Sequence, residues 1–449
     1  MDEQKTELFE RMPIPRAVMT MAVPTVLSSL VMVIYNLADT YFVGMLNDPI
    51  ENAAVTLASP VLLAFNAVIN LFGVGGSSLM SRYLGKKEYA SVRKSSAVSF
   101  YCALGFSALF SLAAGIFSAQ LLGILGTTSD TAAVTWQYLR WTTLCGAVPA
   151  ILNVVLANLV RSEGASLHAS IGTMSGCLLN ILLDPLFILP AGLGMGAAGA
   201  GLATFLSNCV ACIYFFVLLW VRRGKTYVCV NPREFSFDAE IFRGICAVGV
   251  PAAIQNLLNV TSMTVLNNFT SSYGSNAVAA MGISQKINMI PMYIAMGISQ
   301  GIMPLVGYNY ASGNRKRMKN AITFTAKISV SFILLMTAVY YFGAETLIHL
   351  FMKNEEVVAY GGKFLHGMCL GLVFLNVDFL AVGVFQACGM GTKSLIFAIL
   401  RKVVLEIPAL FLLNRLWPLY GLAYAQTCAE IVLAIAAVIL LARMFREAS

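Results

Sequence analysis

The sequence has very little charge: only 11% of its 449 residues are Asp, Glu, Lys or Arg, whereas 58% are hydrophobic. A soluble globular protein carries about 25% charged residues, because they cover its water-facing surface. This shortage excludes a cytosolic enzyme and a disordered chain. The net charge of +8 does not indicate a nucleic-acid binder, since the basic residues lie between apolar runs and do not form one patch. The composition therefore predicts a polytopic integral membrane protein.

The chain also lacks the groups that enzymes and ATP-driven pumps use. It has three His residues and no Ser–His–acid constellation, and no Gly-Lys-Ser/Thr loop that could cradle a phosphate. Most of its ten Cys residues fall within apolar stretches, which is typical of packing residues. We therefore expect no enzymatic activity and no cofactor, and we expect any transport to be driven by an ion gradient.

Apolar stretches of about 20 residues can cross the hydrocarbon core of a bilayer as helices. The sequence contains twelve such stretches, at residues 17–45, 53–80, 95–118, 134–160, 169–190, 199–221, 245–273, 277–308, 321–344, 357–388, 394–417 and 419–442. The predicted fold class is therefore all-α integral membrane, with twelve transmembrane helices.

The positive charges lie on alternate sides of these spans. Lys and Arg cluster in the two tails and in segments such as 82–94 and 222–243, whereas the loops 47–52, 119–133 and 191–198 contain none. The positive-inside rule then places both termini in the cytoplasm. We expect a multi-pass protein of the plasma membrane.

The second half of the sequence repeats the first at a nearly constant offset. Three pairs mark the repeat: Pro24 with Pro251 (251 − 24 = 227), Gly85 with Gly313 (313 − 85 = 228), and Pro185 with Pro408 (408 − 185 = 223). Two pseudo-symmetric six-helix bundles are predicted, 1–221 and 222–449, the second beginning with a cytoplasmic linker at about 222–244. Parallel repeats of this kind place a substrate site between the halves, near the bilayer midplane.

Five of the 21 acidic residues fall inside predicted spans: Asp39, Asp184, Asp378, Glu406 and Glu430. A charge at the bilayer centre costs ~2.5–3.5 kcal/mol on insertion scales, and such residues often mark ion or proton pathways. A buried ion pair, a carboxyl kept neutral by burial, or an error in the span limits are the alternative explanations.

Residue spacing separates these five acids. Asp39 follows Tyr35 and Asn36 by one helical turn, and its span has no basic residue after Arg16, so an ion pair within that helix is excluded. Glu406 follows Lys402 at i+4, so a structural helix pair competes with a functional role there.

Two pairs of polar residues occur at i, i+4 spacing, one ending at Asp184 and one in the next span. Asn180 precedes it by four residues and Pro185 follows it, which frees a backbone carbonyl one turn back. Thr204 and Asn208 show the same i, i+4 spacing in the next span. Oxygen donors of this type suit a hard cation such as Na⁺, and a buried carboxyl suits a proton.

The repeat aligns the acids of the second half with amides of the first. Asp378 aligns with Asn153 (378 − 153 = 225), and Glu430 aligns with Asn208 (430 − 208 = 222). Carboxyls have thus replaced amides at both positions.

Several short motifs have the spacing of a known transporter family. They are Pro24-Thr-Val-Leu, Tyr35-Asn-Leu-Ala-Asp39-Thr-Tyr-Phe-Val-Gly44, Gly73-Val-Gly-Gly-Ser, Ser81-Arg-Tyr-Leu-Gly85, Asn180-Ile-Leu-Leu-Asp184-Pro185, Pro304-Leu-Val-Gly-Tyr-Asn309, and Arg401 seven residues before Pro408. The chain resembles the multidrug and toxic compound extrusion (MATE) family over residues 15–445, especially its bacterial MepA-like and DinF-like branches.

The resemblance implies a V-shaped pair of six-helix bundles that exports organic, cationic, drug-like compounds in exchange for Na⁺ or H⁺. In relatives, the first-helix acid, the fifth-helix Asn/Asp pair and a sixth-helix Thr form a cation or proton site. These roles fall on Asp39, Asn180, Asp184 and Thr204, with Asn153 nearby, and the first four are the candidate Na⁺ ligands. The source is expected to be bacterial.

NorM-like relatives instead emphasise a seventh-helix Glu and a tenth-helix Asp. Asp378 matches the latter, but Asn259 stands about where the Glu would be, so the resemblance favours a coupling site in the first half. The substrate cavity is predicted to include Tyr35, Asn36, Asp378, Glu430 and Glu406.

Two alternatives belong to other functional classes. A lipid-linked oligosaccharide flippase shares the two-bundle architecture, but its cavity should carry several cations, and only Arg140 and Lys286 are candidates here. A membrane-embedded enzyme or receptor would need a catalytic cluster or an added domain, and the predicted loops are short. The expected partners are a small organic cation and the lipid bilayer, and the protein is expected to be a monomer.

Overall fold

The computed structural model describes residues 3–446, and the regular elements among them are all helical. A helix satisfies its backbone hydrogen bonds internally, which a chain in lipid requires. The helices of the first half are α1 Glu3–Thr6, α2 Ile14–Gly44, α3 Pro49–Ile69, α4 Gly75–Gly85, α5 Tyr89–Ile116, α6 Ser118–Ile124, α7 Ala132–Leu139, α8 Ala147–Ser162, α9 Ser166–Ile188 and α10 Ala197–Val221.

The second half follows a short 3₁₀ turn at Pro232–Glu234. Its helices are α11 Ala239–Ser271, α12 Ser275–Ala311, α13 Arg315–Phe342, α14 Ala344–Phe351, α15 Glu355–Leu370, α16 Leu372–Ala387, α17 Gly391–Ile399, α18 Ile407–Leu416 and α19 Gly421–Arg446. Wider π-helical turns at Glu7–Arg11, Asn70–Val74, Arg140–Cys145 and Leu400–Glu406 adjoin or connect several of these helices.

Within the described chain, nine helices are long and apolar enough to cross a membrane, and two bent pairs bring the number to as many as eleven. The first pair bends by 49° at Gly146, between the π-helical turn after α7 and α8; the second bends by 42° at Gly371, between α15 and α16. These glycines are 225 residues apart (371 − 146 = 225), which is the repeat offset for this region. The predicted all-helical membrane fold is therefore confirmed.

Of the twelve predicted spans, 394–417 is the one that lacks the length and composition of a membrane-crossing helix. It coincides with α17, the π-helical turn Leu400–Glu406 and α18, and it contains Arg401, Lys402 and Glu406. Arg415, near its end, is a fourth charged residue, so the segment has more charge than an apolar span usually contains. Arg401, Lys402 and Glu406 are buried, so protein contacts and not lipid surround them.

The chain folds as two compact units, and neither is one continuous stretch. The first unit comprises residues 30–253 with the N-terminal segment through residue 11, and the second comprises residues 12–29 and the chain from 254 onward. This division differs from the predicted boundary between residues 221 and 222, because α2 and α11 each change unit partway along their length.

Each unit contains a very close crossing between a helix of one sequence half and a segment of the other. In the first unit a Cβ on Gly249 of α11 would lie 2.0 Å from the Leu71 carbonyl oxygen, and in the second a Cβ on Gly301 of α12 would lie 2.8 Å from the Ala22 Cα. Small residues let two backbones approach in this way. Gly249 and Ala22 are related by the repeat (249 − 22 = 227), so the equivalent crossing is found in both units.

A buried carboxylate organises the N-terminal segment of the first unit. Glu163, in the turn between α8 and α9, accepts hydrogen bonds from Lys5 Nζ, Thr226 Oγ1 and the Tyr227 backbone N–H, each at 2.8 Å. The polar linker that begins at residue 222 is thereby packed against its own unit, together with the N-terminal segment.

Candidate functional site

The predicted Asn180–Asp184 pair lies on one face of α9 and is buried, with 2% and 0% of the two residues exposed. Helical spacing brings side chains four residues apart together. With its amide oriented to satisfy both ends, Asn180 donates to Asp184 Oδ2 at 2.9 Å and accepts from the Thr204 hydroxyl at 3.2 Å. A continuous polar chain thus links α9 to α10.

Proline after the carboxylate changes the backbone at this point. Pro185 lies inside α9 and has no N–H, so the Ile181 carbonyl receives no helical hydrogen bond from that position. That carbonyl, one helical turn before the proline, therefore lacks its usual helical donor.

The second part of α2 brings Asp39 and Tyr35 to the same cluster. Asp39 lies near enough to Asp184 for the two carboxyls to interact electrostatically, and its Oδ1 is buried without a hydrogen-bond partner. The Tyr35 hydroxyl is within hydrogen-bonding reach of Thr204 and interacts with both carboxyls. Two neighbouring carboxyls with an unused oxygen form a negative site that a proton or a cation would stabilise.

Asn36 does not share this arrangement, although it is one residue from Tyr35. Its side chain is exposed, and its amide donates to the Met32 carbonyl of its own helix at 2.9 Å. The predicted common face of α2 therefore joins Tyr35 to Asp39 only.

Tyr138 is a member of the cluster that sequence reasoning missed. It lies on α7, is 4% exposed, and interacts electrostatically with Asp39, Tyr35 and Asp184. One tyrosine inside an apolar stretch gives little signal by itself. A related feature is Gly201 of α10. A Cβ there would lie 2.9 Å from the Tyr138 carbonyl oxygen, so a small residue is needed where α10 packs against α7.

Asn153 contacts α10 one helical turn beyond the residue that belongs to the carboxyl cluster. Its amide donates to Asn208 Oδ1 at 3.1 Å and to the carbonyl of Pro149 at 2.7 Å. Asn208 follows Thr204 by one helical turn. Asn153 is thus linked to the cluster through α10, and the structure gives it no direct bond to Asp39 or Asp184.

The second unit holds a separate charged cluster. Asp378 on α16 and Glu430 on α19 are 1% and 0% exposed and lie within hydrogen-bonding reach of each other. Arg401 Nε lies 3.8 Å from Glu430 Oε1, and its Nη2 donates to Asn259 Oδ1 at 2.8 Å. The sequence placed Asp378 and Glu430 in the membrane but gave no sign of Arg401 as their neighbour, because the three come from different helices.

Glu406 occupies a third environment. Lys402 Nζ donates to Glu406 Oε2 at 2.6 Å, and the Ser262 hydroxyl donates to Oε1. Both charged side chains are about nine-tenths buried. This is the geometry of a structural ion pair within one helical segment, which is one of the two explanations that the i, i+4 spacing allowed.

The donors in the first unit are oxygens: two carboxylates, an amide and a hydroxyl. Hard cations prefer oxygen ligands, and the unpartnered Asp39 Oδ1 is available for one. No cluster of three or more His, Cys, Asp or Glu side chains that could hold a metal is found in residues 3–446. The residues Asp39, Asn180, Asp184 and Thr204 are therefore suited to a proton or to Na⁺.

The MatE family model matches the chain twice, at residues 24–186 and 251–412. The two matches start 227 residues apart (251 − 24 = 227), which is the offset of the repeat. Together they cover more than half of the sequence.

Known proteins resemble the chain along nearly its whole length. It is 33% identical over 441 residues to the multidrug export protein MepA of Staphylococcus aureus strain MRSA252, covering 98% of this chain and 96% of that protein. The crystal structure of a MATE protein in complex with MaL6 superimposes with a TM-score of 0.93 at 26% identity, over 99% of both chains. An outward-facing multidrug resistance MATE transporter of the MOP superfamily also gives a TM-score of 0.93 at 26% identity, over 99% of this chain and 98% of that one.

The family that the motifs of α2, α9 and α12 suggested is thus confirmed by sequence and by fold, and the chain belongs to the MatE family of membrane transporters.

Proposed function

We propose that this protein is a secondary active antiporter that exports organic cations, including drug-like compounds, in exchange for Na⁺ or H⁺. The observation that carries the proposal is the buried cluster of Asp39, Asp184, Asn180 and Thr204 in the first unit. Two acids lie near each other in a membrane-spanning region, where an isolated charge is costly. A reversible positive charge is the simplest partner for them.

The coupling step follows from this electrostatic arrangement. Without a bound cation, repulsion between Asp39 and Asp184 opposes their approach. A proton or Na⁺ removes that repulsion and draws α2 towards α9, while the Asn180 amide and the Thr204 hydroxyl hold the second carboxyl in place. A conformation with α2 close to α9 then has higher affinity for the cation than one with α2 apart.

Antiport requires that the drug favour the opposite conformation. A ligand shifts a conformational equilibrium only by its differential affinity for the two states, and the coupling between two ligands is reciprocal. If the cation stabilises one state and the organic substrate the other, inward flow of the cation drives export of the substrate. The MepA relatives are multidrug export proteins, which supports drug-like compounds as the substrates.

We further propose that the protein is a monomer in a bacterial plasma membrane, with both termini in the cytoplasm. The distribution of Lys and Arg between the loops supports this orientation. Labelling of single cysteines introduced at Asp130 and at Arg315 of a cysteine-free protein, with a membrane-impermeant maleimide on intact cells, tests it. Position 130 should react and position 315 should not; the reverse pattern would overturn the orientation.

Transport into proteoliposomes tests the coupling. Purified protein is reconstituted, and the initial uptake rate of ethidium is measured with an acid interior, with a Na⁺-loaded interior, or with neither. We expect one of the two gradients to drive uptake of ethidium. Uptake that responds to neither gradient would remove antiport from consideration.

Variants locate the coupling site. Asp39→Asn and Asp184→Asn should each reduce gradient-driven uptake at least tenfold while leaving expression and gel-filtration behaviour unchanged. Asp130→Asn, a matched change at an exposed loop position, should transport like the wild type. Wild-type coupling in both Asp39→Asn and Asp184→Asn would show that the ion binds elsewhere.

A further inference from the structure

The two halves of the repeat place a polar pair at the same position but with different chemistry. In the first unit the pair is Asn153 on α8 and Asn208 on α10, joined by an N–H···O hydrogen bond of 3.1 Å. Their counterparts in the second unit are Asp378 (378 − 153 = 225) and Glu430 (430 − 208 = 222). The fold therefore places two amides at this position in one unit and two carboxyls in the other.

Two carboxylates cannot form the bond that two amides form. An ionised carboxylate only accepts hydrogen bonds, so one of the two must carry a proton before an O–H···O bond can join them. Asp378 and Glu430 are within hydrogen-bonding reach of each other, and none of their four carboxyl oxygens has a hydrogen-bond donor among the described residues. A shared proton would satisfy this pair.

Charge balance also predicts one bound proton for the pair. Among the described residues, Arg401 is the positive charge that acts on the pair, with Nε 3.8 Å from Glu430 Oε1. With both acids ionised the cluster has a net charge of −1, and with one proton added it is neutral. A buried cluster is strongly favoured when its charges cancel.

The neighbouring groups do not alter this balance. On the helical segment that carries Arg401, Lys402 is paired with Glu406. The helix α11 faces the cluster with the neutral Asn259. From α12, the Ser299 hydroxyl donates to the Phe379 carbonyl, and from α13 the Ser329 hydroxyl accepts from Asn376.

We propose that Asp378 and Glu430 together bind one proton in the second unit, with Arg401 as a fixed counter-charge, separately from the ion site of the first unit. A metal cation is disfavoured here, since the Arg401 guanidinium already places a positive charge beside Glu430 and takes up the Asn259 oxygen. The site gives the proposed antiporter a second position that binds a proton. Its role in transport, but not its existence, rests on the proposed function.

Infrared spectroscopy of the purified protein in lipid tests the site directly. A protonated carboxyl has a C=O stretching band that an ionised carboxylate lacks, and the band shifts in D₂O. The measurement is made at pH 7 in an Asp39→Asn/Asp184→Asn background, so that the first-unit acids do not contribute. We expect one protonated buried carboxyl per chain.

Three added substitutions make the result specific. Glu430→Gln and Asp378→Asn each leave one acid facing Arg401, so each should abolish the band while preserving charge balance and folding. Arg401→Gln removes the counter-charge and should raise the count to two protonated carboxyls per chain. The double change Lys402→Met/Glu406→Gln, which removes the neighbouring pair without leaving an unpaired charge, is the control and should leave the band unchanged.

The outcomes separate this proposal from the proposed function. Absence of the band in the background protein, or a band that survives both Glu430→Gln and Asp378→Asn, would overturn the shared proton even if gradient-driven export is intact. If the band responds as expected but the wild-type protein transports nothing under either gradient, the proton site stands and the antiport function is overturned.

Discussion

The Lys402–Glu406 pair allows a sharp test of which buried charges hold the fold together. The two side chains are 10% and 8% exposed, and 2.6 Å separates Nζ from Oε2. Glu406→Gln keeps the shape and can retain the bond to Ser262, but it leaves the Lys402 ammonium without a counter-charge. Breaking a buried ion pair by removing one partner costs ~3–5 kcal/mol, so the ratio of folded to unfolded protein should fall roughly 100-fold or more.

A second substitution shows whether the cost comes from the unpaired charge. Lys402→Met in the Glu406→Gln protein removes the uncompensated ammonium, and replacing a whole buried pair by uncharged groups is often neutral or stabilising. The double variant should therefore unfold within about 1 kcal/mol of the wild type, and the coupling energy of the cycle should be about as large as the summed costs of Glu406→Gln and Lys402→Met made singly.

Equilibrium unfolding in mixed micelles measures these differences, and ethidium uptake per folded molecule measures function. Uptake by the folded fraction of Glu406→Gln should match the wild type. Normal stability of Glu406→Gln, or a double variant no more stable than the single one, would refute the structural interpretation. Impaired uptake with normal stability would instead support a role for Glu406 in the substrate cavity.

Three further predictions follow from other contacts. Thr204→Val removes the hydroxyl that bonds Asn180, a loss of about 1–3 kcal/mol, so the apparent affinity for the coupling ion in the uptake assay should fall about 5- to 150-fold. Gly249→Ala would place a Cβ 2.0 Å from the Leu71 carbonyl oxygen, so little monodisperse protein should be recovered in gel filtration. Glu163→Gln loses its ion pair with Lys5, and trypsin should then cleave the N-terminal segment faster.

Each of these has a control and a contrary outcome. Thr204→Ser should restore ion affinity, and unchanged affinity in Thr204→Val would remove that hydroxyl from the site. Gly105→Ala, where an added Cβ meets nothing within 4 Å, should give normal protein, and an equally normal Gly249→Ala would contradict the close crossing. Glu234→Gln affects a half-exposed pair at 3.9 Å and should not change the trypsin rate; equal rates in Glu163→Gln and wild type would dismiss the anchoring role.

The parts of the fold that depend on local pattern were predictable from the sequence. Apolar length identified the spans, and a drifting offset identified the repeat. Helical spacing also brought Asn180 to Asp184, because four residues make about one turn. The bends at Gly146 and Gly371 were not predicted, since the two long apolar stretches that contain them read as single helices.

The contacts that the sequence did not predict are those between helices. Tyr138 reaches Asp39 and Asp184 from α7, and Arg401 reaches Glu430 of α19. Spacing along the chain carries no information about such neighbours. The alignment of Asp378 and Glu430 with Asn153 and Asn208 did contain the carboxyl pair, because residues equivalent by repeat occupy equivalent positions, but that required knowing that the two amides touch.

The division of α2 between the units has a consequence for biosynthesis. Residues 12–29 pack with a part of the chain that begins only at residue 254, so 224 residues separate the two parts of the second unit (254 − 29 − 1 = 224). During translation the first helix enters the membrane long before its Ala22 face can meet Gly301. Until α12 emerges, lipid or the insertion machinery must cover that face, and the second unit is complete only when the ribosome has nearly finished the chain.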